Sequence, residues 1–247
     1  MTRAYVLAVD DPYRMRGAVD AFTRALALDS TTSEGWYQFG QSLMALGENA
    51  RAETAYRKAF ALDPNRPMAL MSLSAMYLKS GKVAEAKALI DSAVGASRTV
   101  TSPYVRVVRG RIALMQGDVR AARDEADLAL AMDTNYTIPA RSLLATVYWT
   151  EGDTVRAAAE LARLLKDLGA GDPSPTSARY AASALVAQGR NEQALTLIER
   201  ARPRGAYLWF YLQSLDFQAL SAHPRFIRVI READPRSAGV TGAASSS

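Results

Sequence analysis

Apolar residues recur at spacings of three and four along most of the chain, in runs that end at glycine or proline. Residues 34–46 form one such run, and Gly47 ends it. A second run covers residues 50–62 and stops before Pro64, because proline cannot continue a helix. This pattern predicts two helices joined by a glycine turn.

The same two-helix pattern recurs along the chain. Glycines follow apolar runs at positions 47, 81, 117, 152 and 189, so the repeat length is 34 to 37 residues. An alanine lies five positions after each glycine, and a further small or apolar residue lies seven positions beyond that. Residues seven apart share one face of a helix, and alanine there allows a close helix crossing. The repeat therefore predicts a stack of helix pairs. The two sets are Ala52, Ala86, Ala122, Ala157 and Ala194, and Ala59, Ala93, Ala129, Leu164 and Ala201.

The stretch EGWYQFGQSLMALGENARAETAYRKAFALDPN resembles a tetratricopeptide repeat (TPR). Residues 67–95 and 176–201 match that pattern well, and the units around Gly117 and Gly152 match it more weakly. The resemblance covers residues 15–201 and implies an all-α fold, a right-handed α-solenoid of about six helix pairs. It says little about function, because the signature residues are packing residues. In the first stretch they are Trp36, Phe39, Gly40, Leu43, Gly47, Ala52, Tyr56, Ala59 and Pro64.

We predict one solenoid domain over residues 1–235. Residues 1–32 form an irregular first repeat, residues 33–201 form five repeats, and residues 202–235 cap the last one. Pro224 suits the first turn of a helix, and Phe226, Val229 and Ile230 then form an apolar stripe. A terminal repeat needs such a cover, because it would otherwise expose core surface. Residues 236–247 are small and polar and are predicted to be a disordered tail.

The sequence of residues 215–233 is also similar to a segment that closes TPR arrays in bacterial signalling proteins, including adenylate cyclase-like and serine/threonine kinase-like chains. The similarity is carried by Phe217, Leu220, Pro224, Arg225 and Phe226, whereas His223 stands where that pattern has an acid. This resemblance implies a sensing or assembly role within a signalling protein.

Composition excludes several kinds of chemistry. The chain has no cysteine and one histidine, so disulfides, thiolate metal sites and multi-histidine metal sites are excluded. His223 precedes a proline and is predicted to start a helix rather than act as a base. No catalytic or nucleotide-binding motif is present. We therefore predict a protein that is not an enzyme and needs no cofactor.

The net charge of +5 leaves nucleic-acid binding as the alternative function. The excess is concentrated in residues 201–247, which carry six basic and three acidic side chains. A dedicated nucleic-acid protein has a denser basic face than these side chains can form, so a protein or peptide partner is favoured. No stretch approaches the length of a membrane helix, and the default prediction is a soluble cytoplasmic chain.

The predicted binding site is the concave groove, which the first helix of each repeat lines. Methionine and aromatic side chains there suit apolar groups, and arginines suit carboxylates or carbonyls. For some of these residues, packing in the core between repeats is the alternative to binding in the groove. The facing of Arg106 and Arg109, the partner and the oligomeric state stay open. The predicted groove residues are Tyr37, Gln41, Met44, Met71, Arg111, Trp149, Arg179 and Tyr180.

Overall fold

The protein is described here by a computed structural model that covers residues 12–64, 68–96, 102–132, 137–169, 174–201 and 211–234. Within these residues all regular structure is helical. Residues 1–11 of the predicted irregular first repeat and the predicted tail lie outside the described residues. The helices are α1 (Pro12–Leu28), α2 (Ser33–Ala45), α3 (Asn49–Leu62), α4 (Met68–Lys79), α5 (Val83–Ala96), α6 (Pro103–Met115), α7 (Val119–Met132), α8 (Thr137–Thr150), α9 (Thr154–Asp167), α10 (Pro175–Ala187), α11 (Asn191–Ala201), a 3-10 helix (Leu215–Leu220) and α12 (Pro224–Ala233).

Consecutive helices form antiparallel pairs that stack into a solenoid. The pairs are α2 with α3, α4 with α5, α6 with α7, α8 with α9, and α10 with α11, and α1 packs on α2. The first helices of neighbouring pairs also contact one another, from α4 through α6 and α8 to α10. These first helices therefore form one continuous layer, and the predicted all-α solenoid is confirmed.

The turn between the two helices of a pair depends on glycine. Gly47 has φ of 77°, and Gly81, Gly117, Gly152 and Gly189 have φ between 70° and 83°. Side chains other than hydrogen are strained in this left-handed region. The turn is closed by a hydrogen bond in which the N–H of Glu48 donates to the carbonyl of Leu43 at 2.9 Å. This bond satisfies a carbonyl that the end of the helix leaves free, as predicted for a glycine C-cap.

Small residues set the distance between paired helices. All ten residues of the two predicted sets, from Ala52 to Ala201, have no exposed surface. At Gly40 an added Cβ would lie 2.8 Å from the ring of Tyr56. At Gly110 it would lie 2.5 Å from Leu143 Cδ2 and 3.1 Å from the carbonyl oxygen of Ala122. The helices thus approach so closely that a methyl group does not fit.

Helix α12 covers the last repeat. Phe226 and Val229 are buried in one core cluster with Leu197 and Ile198 of α11. Arg225 also faces α11, where it pairs with two glutamates. The buried apolar stripe matches the prediction for a cap docked on the last repeat.

His223 begins α12. Its Nδ1 accepts a hydrogen bond from the backbone N–H of Arg225 at 3.3 Å, and its Nε2 lies 3.3 Å from Glu192 Oε1. Both ring nitrogens therefore have structural contacts, and the prediction of a helix-start residue is confirmed.

We predict opposite effects for two glycine-to-alanine substitutions. Gly110→Ala should destabilise the protein by about 1–3 kcal/mol, because the new methyl group overlaps Leu143 and the backbone of α7. Gly17→Ala lies in α1 with nothing within 4 Å and should stabilise by about 0.5–1 kcal/mol through helix propensity. Urea unfolding of both variants measures the difference, and equal shifts would contradict the close crossing at Gly110.

The cap yields a second stability prediction. Val229→Ala should cost on the order of 2 kcal/mol, because this side chain is fully buried against the last repeat. Arg228→Ala, one position earlier on the exposed face, should stay within about 0.5 kcal/mol of the parent. Thermal melting compares the two, and similar melting temperatures would show that α12 does not carry core packing.

Candidate functional site on the concave face

The chain segment after the last repeat returns across the layer of first helices. We call residues 211–217 the returning segment. Leu212 and Phe217 are buried in the C-terminal core, which anchors the segment. Tyr211, Ser214 and Asp216 instead line a cavity together with residues of α4, α6 and α10. The segment therefore places polar groups on the concave face while its apolar groups hold it in place.

An ion pair connects the returning segment to α6. Arg111 Nη2 donates to Asp216 Oδ2 at 2.6 Å, and the two side chains are 22% and 24% exposed. Burial by itself would raise the pKa of Asp216, but the charge and hydrogen bond of Arg111, with Arg179 and Ser214, lower it below its ordinary value. The carboxylate of Asp216 in turn raises the pKa of Arg111. Both groups are therefore charged at neutral pH.

Arg179 of α10 lies between two tyrosine rings. Its guanidinium carbon is 3.9 Å from the ring centroid of Tyr180 and 3.8 Å from that of Tyr211. Tyr180 is held because Ser142 of α8 donates a hydrogen bond to its carbonyl at 2.7 Å. The aromatic faces stabilise the cation, and Arg179 is only 8% exposed.

Two adjoining cavities lie around these groups. The inner cavity, of about 40 Å³, is lined by Lys79, Tyr104, Arg179 and Tyr211 among others. The outer cavity, of about 60 Å³, is lined by residues of α6, α8 and α10. Arg111, Tyr180 and Asp216 line both, so the two cavities share a wall.

Apolar side chains stay accessible beside the outer cavity. Met115 and Thr146 line that cavity, and Met115 is 38% exposed. Trp149 follows Thr146 by three residues on the same face of α8 and is 40% exposed. We call Met115, Thr146 and Trp149 the open strip. It provides an accessible apolar surface next to a cationic and aromatic cluster.

Four predicted groove residues are buried: Met44, Met71, Arg179 and Tyr180. Met44 and Met71 are 4% and 1% exposed and belong to the N-terminal core. The sulfur of Met44 accepts a hydrogen bond from the hydroxyl of Tyr56, which is fully buried. The prediction that these two methionines contact a partner is corrected, because both side chains pack in the core.

The other predicted residues fall into two groups. Tyr37 and Gln41 are half-buried on α2, where Gln41 Nε2 donates to the Tyr37 hydroxyl at 2.5 Å. Arg111, Arg179 and Tyr180 come together in the cluster around the inner cavity, and Trp149 lies in the open strip. Whether these residues contact a partner stays a prediction.

The facing of Arg106 and Arg109 is resolved. Arg106 Nη1 lies 2.9 Å from Glu125 Oε2, and Arg109 Nε lies 3.3 Å from Glu125 Oε1. Glu125 belongs to α7, so both arginines point toward the second helix of their own pair. Because Gly110 brings α6 and α7 close together, the carboxylate reaches both of them.

Sequence reasoning missed the contribution of the returning segment. Tyr211 and Asp216 complete the cluster, yet Asp216 is 105 positions away from Arg111. The available signal was weak: two arginines lie on the concave helices, and an acid lies in the segment that follows the repeats.

Antiparallel helix pairs with glycine turns and alanine crossings define a tetratricopeptide-type solenoid. The sequence matches the family described as the cilia and flagella-associated protein 70 middle TPR-like domain over residues 12–169. It also matches a tetratricopeptide repeat over residues 175–200. The chain belongs to this TPR-like family.

Solved structures show the same fold. A tetratricopeptide repeat protein from Parabacteroides merdae ATCC 43184 has a TM-score of 0.60 and 14% identity, covering 89% of this chain and 78% of its own. PilW, a type IV pilus biogenesis factor, has a TM-score of 0.58 and 20% identity, with 84% and 91% coverage. A chain of the Cut9–Hcn1 hetero-tetramer of the APC/C has a TM-score of 0.58 and 16% identity, covering 89% of this chain and 39% of that chain. These likenesses establish the fold.

A curated relative shares part of the sequence. Cellulose synthase operon protein C of Xanthomonas axonopodis pv. citri (strain 306) is 34% identical over 94 residues. The match covers 36% of this chain and 6% of that protein.

Two further features are absent from the part of the chain that the structure describes. There, no group of three or more His, Asp or Glu side chains is placed to hold a metal ion. None of the helices there combines the length and apolar character needed to cross a membrane.

Burial at the inner cavity predicts a pH effect. It lowers the pKa of Lys79 from 10.5 to about 8. Between these values the unfolded chain binds more protons than the folded one, so stability should rise with pH from about 8 to 10. Urea unfolding at pH 7 and pH 9.5 should therefore show that Lys79→Met loses stability relative to the parent as pH rises. Lys87→Met, at an exposed lysine paired with Asp91, should keep a constant difference from the parent. A constant difference for Lys79→Met would contradict the depressed pKa.

Proposed function

We propose that this protein is a non-catalytic interaction scaffold that binds a segment of a protein partner along its concave face. The observation that carries the proposal is the open strip beside the Arg111–Arg179 cluster. Trp149 and Met115 remain 40% and 38% exposed, whereas Met44 and Met71 of the first helices α2 and α4 are buried in the core. An accessible tryptophan next to buried cations is typical of the residues that dominate the energy of protein interfaces.

The chemistry of the open strip suits an apolar side chain with a polar neighbour. Methionine is unbranched and polarizable, so Met115 can adapt to ligands of different shape. Trp149 offers a large flat surface with an N–H donor. Thr146 of α8 lines the outer cavity with Met115 and can exchange its hydrogen bond to the Ser142 carbonyl for one to a ligand. Tyr37 and Gln41 offer further half-exposed contacts on α2.

Relatives of this fold support a binding role. TPR proteins act as protein-interaction scaffolds, and one neighbouring structure is a hetero-tetramer of Cut9 with Hcn1. A role in sensing or assembly within a bacterial signalling protein rests on the similarity of residues 215–233 to segments that close TPR arrays there, and it stays a prediction. His223 is engaged at the start of α12 and by Glu192, which disfavours its use as a catalytic base.

The structure gives little support to the nucleic-acid alternative. Many arginines of the repeats pair with carboxylates of the same chain, so their charges are locally balanced. Such pairing leaves less positive charge for phosphate groups. Examples are Arg106 with Glu125, Arg123 with Glu151, Arg141 with Glu160 and Asp167, and Arg225 with Glu192 and Glu199.

The test compares two exposed apolar positions. The purified chain is used to capture partners from an extract of its source cells, with Trp149→Ala and Val155→Ala as matched variants. Val155 is 79% exposed on α9, a second helix, and lies away from the concave layer. We expect Trp149→Ala to reduce the amount of the specific partner at least tenfold, because hot-spot residues contribute about 2 kcal/mol or more. Val155→Ala should retain capture at the level of the parent.

Salt and nuclease treatment separate the two candidate functions. Capture through the open strip should persist when salt rises from about 50 to 200 mM, whereas binding through phosphate contacts falls by orders of magnitude over that range. Loss of capture on nuclease treatment, or equal capture by both variants, would contradict binding on the open strip.

A further inference from the structure

Arg179 is a buried arginine whose Nε is unsatisfied within the described part of the chain. It is 8% exposed, its Nε is fully enclosed, and Nε has no acceptor among the residues that the structure describes. Its guanidinium contacts the faces of Tyr180 and Tyr211. Both ring centroids lie close to the guanidinium carbon, and a ring face offers its N–H donors no lone pair. Buried polar groups in proteins are almost always hydrogen-bonded, so a bound acceptor would satisfy the Nε–H of Arg179.

The charges around Arg179 favour an anionic acceptor. Two guanidinium groups, Arg111 and Arg179, line the inner cavity, and Asp216 is the carboxylate that lines it. Asp216 already accepts the hydrogen bond of Arg111 at 2.6 Å. The ammonium-bearing Lys79 and the hydroxyl of Ser214 line the same space. A second carboxylate would therefore balance the second guanidinium.

The size of the inner cavity limits the acceptor. The free space of about 40 Å³ exceeds the roughly 10–15 Å³ that one water molecule needs, so a single small group of a few atoms fits. A carboxylate is planar and matches the forked donors of a guanidinium. The shared wall of Arg111, Tyr180 and Asp216 connects this space to the outer cavity and thus to the open strip.

We propose that the inner cavity binds the carboxylate of an aspartate or glutamate side chain of the partner segment, with Arg179 as its principal hydrogen-bond donor. Tyr180 and Tyr211 hold the guanidinium in plane, and the returning segment thus forms one wall of the site. This inference rests on the proposed function, because the acidic residue reaches Arg179 from a segment that lies on the open strip. The partner residue next to it is apolar and covers Met115 and Trp149.

The test follows the Nε–H resonance of Arg179 by NMR in the full chain labelled with ¹⁵N. One arm titrates sodium acetate against sodium chloride at equal ionic strength, with acetamide as the uncharged counterpart. A second arm uses the tripeptide Ac-Leu-Glu-Phe-NH₂ against Ac-Leu-Gln-Phe-NH₂. We expect a saturable shift with acetate and none with acetamide. We also expect a dissociation constant at least tenfold lower for the glutamate tripeptide than for the glutamine tripeptide.

Matched variants control for folding. Arg179→Lys keeps the charge and removes the forked donors, and it should weaken binding of the glutamate tripeptide at least tenfold at an unchanged fold. Arg156→Lys alters another arginine that lies over a tyrosine, 4.6 Å from the Tyr148 ring, and should bind the tripeptide like the parent. Circular dichroism and thermal melting check that both variants fold.

Several outcomes would overturn the inference. They are the absence of a saturable shift with either carboxylate, an equal response to acetamide, which indicates no preference for a charged acceptor, and unchanged tripeptide binding by Arg179→Lys. Partner capture separates this failure from failure of the proposed function. If Trp149→Ala loses the partner while Arg179→Lys retains it, the scaffold function stands and the carboxylate site fails. If acetate binds at Arg179 but Trp149→Ala still captures the partner, the carboxylate site stands and the scaffold function on the open strip fails.

Discussion

The close crossing of paired helices is the constraint on which the rest of this structure depends. At Gly40 and Gly110 the facing atoms lie nearer than a methyl group allows, and the alanines of the second helices have no exposed surface. Such contact requires a tight reversal between the helices, which the positive φ of glycines such as Gly47 supplies. Because the crossing and the turn recur with each repeat, the first helices line up as one layer. The concave face is a consequence of that layer.

The returning segment supplies contacts to two arginines of this layer. Arg111 and Arg179 lie on first helices, where neighbouring helices offer them no acid among the described residues. Asp216 supplies a carboxylate to Arg111, and Tyr211 supplies an aromatic face to Arg179. Leu212 and Phe217 make this arrangement stable, because they insert into the C-terminal core. One short segment thus serves the core with its apolar side chains and the concave face with its polar ones.

The structural features that depend on residues close together in sequence were predictable. Glycine turns, alanine crossings and the apolar stripe of α12 are local patterns, and the structure contains all three. Helical spacing alone did not separate the buried Met44 and Met71 from Trp149, which is 40% exposed. Their burial depends on how closely the neighbouring helices pack. The Arg111–Asp216 pair joins residues 105 positions apart, and no local pattern encodes such a contact.

The position of the returning segment links the concave face to the cap. Tyr211 and Asp216 form a wall of the inner cavity, and Phe217, next to Asp216, stacks on Phe226 of α12 with ring centroids 6.1 Å apart. Ile230 of α12 contacts both the N-terminal and the C-terminal core clusters. A ligand that binds only the assembled wall stabilises every contact on which the wall depends. If the concave face binds a ligand as proposed, its occupation and the docking of α12 are thermodynamically coupled, and by linkage a firmer cap strengthens binding as much as binding strengthens the cap.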